Sequence, residues 1–243
     1  MLSFLTFCDA LSQVGDHRSD FAVGVGGGYV MNSVGFVPKV PQLQHGGLTA
    51  GITMRYTCEK YFSSICAIVA EANYVQLGWK EDILTVDDEP VINSLTGQAE
   101  AYQRDINYLQ VPVFARLGWG RERRGFQAFF QVGPQFGICL SESTKSNFDF
   151  GTQNMGDRTS QIVAQDTMAV QHKFDYGISA GAGLEFSHPK LGHFLLEGRY
   201  YYGLGDLYGN SKRDYFGRSN NGSITLKLTY LFDLTRTKNS KIK

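Results

Sequence analysis

The sequence predicts an all-β fold, an eight-stranded antiparallel up-and-down transmembrane β-barrel, on three observations. Apolar and polar residues alternate with period two in eight separate segments. The connections between those segments alternate long and short without exception. Seven charged residues within the segments fall on the polar stripe.

The segments lie at about 21–31, 46–57, 64–79, 106–119, 125–140, 173–187, 193–204 and 222–233. The last is the clearest, with Ile224, Leu226, Leu228, Tyr230 and Phe232 on one face and Ser223, Thr225, Lys227 and Thr229 on the other. In 173–187, Tyr176, Ile178, Ala180, Ala182, Leu184 and Phe186 oppose Asp175, Ser179 and Glu185. In 125–140, Phe126, Ala128, Phe130, Val132, Phe136 and Ile138 oppose Gln127, Gln131 and Gln135. Pro112 within 106–119 counts against a central strand, because proline has no N–H for the ladder.

The connections run 32–45, 58–63, 80–105, 120–124, 141–172, 188–192 and 205–221. Outer-membrane barrels of bacteria have short periplasmic turns and long extracellular loops, so this order puts both chain ends in the periplasm. The domain reading is a partial signal peptide over 1–12, a periplasmic segment over 13–20, the barrel over 21–234 and a periplasmic tail over 235–243. MLSFLTFCDALSQ has the apolar character of a secretory leader but no basic stretch before it.

Composition sets the limits. Of 243 residues, 28 are Gly, 13 Tyr and 17 Phe, an excess suited to curved strands packed with rings. The 23 basic residues match the 23 acidic ones, which excludes the basic face of a nucleic-acid binder. No run approaches the roughly 20 apolar residues of a membrane helix, but a barrel dilutes its lipid-facing residues with inward ones.

Charge decides which face is which. Arg55, Glu71, Arg116, Glu185, Glu197, Arg199 and Lys227 share the polar stripe at similar depth, four positive and three negative. Eight strands enclose a space just wide enough for side chains. That space takes these seven as a paired network, and it does not take six or more large apolar residues from each strand. Polar residues therefore point inward and apolar residues face lipid. Trp119, Tyr56, Tyr230 and Phe232 near one end, with Tyr29, Tyr176 and Tyr202 near the other, suit the two headgroup layers.

Tyr108-Leu109-Gln110-Val111-Pro112-Val113-Phe114-Ala115-Arg116 resembles the "YLEIPLL-K/R" strand of the PorT-type outer-membrane β-barrels of Bacteroidetes. Gly133-Pro134, Gly181-Ala182-Gly183-Leu184-Glu185-Phe186 and Leu196-Glu197-Gly198-Arg199-Tyr200 are similar to that family too. The resemblance covers about 21–233 and accounts for Pro112. It implies a Gram-negative outer-membrane location and a part in type IX protein secretion, with other secretion-system proteins as partners. It also implies insertion by the barrel-assembly machinery, reading Tyr230 and Phe232 as the assembly signal. Those two residues precede the chain end, where an aromatic terminus is expected.

Other functions have weaker grounds. A structural or adhesive role would use the 26-residue and 32-residue connections 80–105 and 141–172. The basic turn of Arg121, Arg123 and Arg124 is a solvated turn or a periplasmic contact. A lipid-modifying enzyme would need a lipid-facing Ser/His pair with a carboxylate, or a calcium site, close to the extracellular boundary, and His172 with Ser160 or Asp166 has no supporting spacing. A pore needs more than eight strands. Cys58, Cys66 and Cys139 lack disulfide or zinc spacing, and Gly24, Gly26, Gly27 and Gly28 are not followed by the helix a phosphate loop needs. The sequence therefore predicts no catalytic residue, cofactor or metal.

Overall fold

In the computed structural model, which describes residues 16–61, 63–209 and 214–237, the chain is a closed antiparallel barrel. Its long strands are β1 (Asp16–Val37), β3 (His45–Tyr61), β4 (Ser64–Glu81), β5 (Tyr102–Gly120), β6 (Gly125–Ser146), β7 (Phe174–His188), β8 (Gly192–Asp206) and β9 (Arg218–Thr235). A two-residue strand, β2 (Gln42–Leu43), adds to β4 opposite Glu81 and Lys80. One helical turn, α1 (Ala164–Thr167), interrupts the longest loop. Each long strand pairs with the next in sequence, and β1 with β9 closes the ring.

Most of the strands outrun the segments that alternation marks. β1 begins at Asp16 and runs 22 residues, so residues 16–20 belong to the barrel wall and not to a preceding segment. β6 reaches Ser146, and the loop after it starts at 147. Lipid enforces alternation only over the roughly 9–11 residues of a strand that cross it. Beyond that the outer face is wet and the period fades, while the ladder continues. The expected leader over 1–12 lies outside the described residues.

Both strand prolines sit where a ladder lapses. The β4 pairing of β5 skips Val111 and Pro112, while Pro112 keeps its place opposite Gln135 of β6. The β5 pairing of β6 skips Gly133 and Pro134, while Pro134 stays opposite Ile178 of β7. Each proline thus turns its missing N–H to the side where no bond is made.

The seam between the first and last strands is built on glycine. A Cβ at Gly24 would collide with the Tyr230 carbonyl, and one at Gly28 with the Leu226 carbonyl. These strands approach more closely than any larger residue allows.

Residues on the outward stripe are apolar and exposed. Ile224, Leu226, Leu228, Tyr230 and Phe232 all face out, with Leu228 65% accessible, and so do Phe186, Trp119, Tyr56, Tyr29, Tyr176 and Tyr202. No helix among the described residues is long and apolar enough to cross a membrane.

Candidate functional site

The inside of the barrel has two levels. At the short-turn end all seven charged residues on the polar stripe point inward and are buried. They gather around two carboxylate hubs. Glu185 accepts from Arg55 Nη1 at 2.7 Å and from Arg116 Nη2, with His193 Nδ1 2.7 Å away. Glu71 accepts two bonds from Arg199, each 3.0 Å, and one from Lys227 Nζ at 2.9 Å. Glu197 takes a further Arg199 bond and one from Gln131 at 2.9 Å. Asn73 bridges Lys227 and Glu71 at 3.1 and 2.8 Å. Two guanidiniums also lie over rings, Arg116 over Phe129 at 3.6 Å and Arg199 over Phe114 at 4.5 Å.

Period two puts these side chains here. Odd-numbered residues of β3, β4, β7, β8 and β9 face inward, as do even-numbered residues of β5. The same parity brings in residues the sequence reading passed over: Asn73, Ser187, His193 and Asp233. His193 shares the parity of Glu197 and Arg199, which was the available signal. Ser187 Oγ lies 2.8 Å from His193 Nδ1, and His193 Nε2 lies 3.0 Å from Asp233. This resembles a serine hydrolase set in composition only. Both ring nitrogens face carboxylates, so neither is free to take the serine proton. Ser187 is itself buried inside the barrel, away from lipid.

The long-loop end is different. There the inward residues include Val30, Val34 and Phe36 of β1, Val75, Leu77 and Trp79 of β4, and Tyr102, Ile106 and Tyr108 of β5. The loops fold over and into the rim, adding Val40, Ile83, Val91, Phe148, Val170, Leu207, Tyr208 and Phe216 to one core. Phe36 sits at its centre, 5.4 Å from the Trp79 ring and 4.8 Å from that of Phe216. The interior of this half is therefore mixed, with apolar rings beside the buried polar Asn32, Arg104, Asp175 and Asn221. The loops carry apolar residues of their own, and the rim is where these escape water.

Polar contacts lock this cap. Glu100 pairs with Arg158 at 3.0 Å, both buried, and also accepts from Asn93 and the Asn154 N–H at 2.9 and 2.7 Å. Burial pushes the Glu100 carboxyl up, but these donors hold it net below its ordinary value. Arg104 bonds the Met168 carbonyl and reaches the Tyr208 hydroxyl at 3.2 Å. The loop 82–101 holds two small bridges, Leu84 with Pro90 and Ile92 with Ala99, and lifts Val86 and Leu95 into solvent.

His172, Ser160 and Asp166 do not come together. His172 is exposed and its N–H bonds the Leu207 carbonyl; Ser160 Oγ accepts from the Ile162 N–H; Asp166 is buried beside Glu81. Tyr230 and Phe232 lie on the outer face, and the Tyr230 hydroxyl donates to the Leu191 carbonyl at 2.7 Å. Cys58, Cys66 and Cys139 are free thiols.

A closed eight-stranded ring with a greasy outside and an ionised inside defines the class: an outer-membrane β-barrel in contact with lipid. The chain belongs to the family described as outer membrane protein beta-barrel domain, whose model matches residues 11–209. Comparison with curated protein sequences returns no match. Among solved structures the chain is similar to Ail, the attachment invasion locus protein of Yersinia pestis, at 14% identity and a TM-score of 0.34, covering 87% of this chain and 98% of that one. It is also similar to OprG of Pseudomonas aeruginosa, at 14% identity and 0.39, over 90% and 98%. Neisserial surface protein A is a third, at 11% identity and 0.41, over 87% and 97%.

Proposed function

We propose that this chain is a non-enzymatic barrel with a structural or adhesive role, presenting its loop cap outside the cell while both termini lie in the periplasm. The observation that carries this reading is the filled interior. Charges close the short-turn half and aromatic residues close the long-loop half, so the barrel offers no route for solute and its working surface is the cap. The loops are ordered on a core of their own, and Val86 and Leu95 stand on top of it. Insertion by the barrel-assembly machinery would read Tyr230 and Phe232. Two experiments test the proposal. Cells carrying a variant with loop 82–101 cut to a short turn lose attachment to a surface or partner cell while keeping the barrel in the outer membrane. A thiol reagent that does not enter cells labels Leu95→Cys but not Arg123→Cys. Unchanged attachment, or the reverse labelling, defeats it.

The Tyr108–Arg116 strand and its resemblance to PorT-type barrels favour a second reading, a component or assembly factor of type IX secretion acting through loops or periplasmic turns. Deleting the gene tests it: normal release of secreted proteins removes that role.

A further inference from the structure

We infer that the loop cap holds a divalent cation of the calcium type between Glu81, Asp166 and the side-chain oxygen of Gln165, a site beyond the role proposed above and independent of it. Glu81 ends β4 and Asp166 and Gln165 belong to α1, and all three are buried. Gln165 Nε2 donates to Glu81 Oε1 at 2.7 Å, which fixes the amide against the Glu81 carboxyl. The Asp166 carboxyl meets Glu81 as well. Both Asp166 carboxyl oxygens and Gln165 Oε1 have no hydrogen-bond donor. Three buried oxygens without donors, two of them on an acid next to another acid, are a combination that native interiors avoid.

The neighbouring cations are committed elsewhere. Arg158 pairs with Glu100 at 3.0 Å, and Arg104 serves Met168, Tyr208 and, at 3.8 Å, Glu142. The Tyr102 hydroxyl donates to the backbone carbonyl of Asp166, not to its carboxylate. A proton between the two acids would satisfy one oxygen and leave the other Asp166 oxygen and Gln165 Oε1 bare. A hard cation takes 6–8 oxygens, with water supplying those the protein does not. A cleft of about 180 Å³ reaches Glu81, lined also by Asp82, Asp88, Arg158 and Ser160, and gives an approach to the Glu81 carboxyl.

The test is calorimetric titration of calcium chloride into the full chain, folded in detergent and stripped with chelator, alongside Asp166→Asn and Glu81→Gln. Retention of the folded, heat-modifiable gel band shows that the variant barrels are intact. The wild type is expected to bind one calcium per chain, and each variant at least about tenfold more weakly. Calcium should also slow trypsin cleavage at Arg158 in the wild type and leave Asp166→Asn unaffected. Absence of binding at millimolar calcium, or equal affinity in Asp166→Asn, overturns the inference. So does trypsin protection that follows pH while ignoring calcium, since the pair then holds a proton alone.

Discussion

The two halves of the barrel interior solve one problem with opposite chemistry. The short-turn half fills a narrow cylinder with ions, where Glu71 and Glu185 each neutralise more than one cation. The long-loop half fills the same cylinder with rings and aliphatic side chains drawn partly from the loops. In the first, the charges have only each other. The second stands at the rim, where loops must be held down, and burial of their apolar residues does that. An ionic interior depends on every partner being present, whereas an apolar one degrades in proportion to the volume removed.

That contrast predicts the largest effect for Glu71→Ala. It strands Arg199 and Lys227, and urea unfolding of the reconstituted barrel should show a loss of about 3–5 kcal/mol. Replacing Glu71, Arg199 and Lys227 together with Met should recover most of this, because no unpaired ion remains. If the triple variant is as unstable as Glu71→Ala, the stranded-charge account is wrong. Trp79→Ala should cost about 3 kcal/mol, spent on cap opening, so trypsin cuts the loop 147–173 faster while the barrel's unfolding midpoint moves little. Coupled loss of both would mean that the two levels are one unit.

Leu226→Arg tests the outer face and should cost about 2 kcal/mol or more in a bilayer. No cost there would point to water outside. Acidification should loosen the cap. The Glu100 carboxyl titrates below its unfolded value, so its contribution is complete above the ordinary glutamate range and is lost as pH falls through the folded value. Cleavage at Arg158 should therefore accelerate in acid, and Glu100→Gln should abolish that acceleration. Smallest of all, Lys145→Ala breaks an exposed pair with Asp105 and should change stability by less than about 1 kcal/mol.

Alternation made the long strands, the inward charges and the exposed stripe of β9 legible from the sequence. The same parity that turns Glu71 inward also turns Val75, Leu77 and Trp79 inward, so the aromatic level was written in β4. It was masked because Tyr74 on the opposite face is apolar too, and a stripe that is apolar on both sides reads as no stripe. Nothing local announces that Tyr208 and Phe216 come down onto Phe36. These contacts join residues more than a hundred positions apart, and loop sequence carries no period. The site at Glu81 and Asp166 was unreadable for the same reason, since 85 positions separate its acids and only the fold of the loop unites them.

The glycine seam has a consequence for assembly. Gly24 and Gly28 let the first strand nestle against the last, and those two ribbons leave the ribosome at opposite ends of synthesis. Closure therefore waits for the whole polypeptide. A methyl group at Gly24 would leave an open curl with two bare, hydrogen-bond-hungry borders in the bilayer, ready to zip onto a second copy and not onto itself.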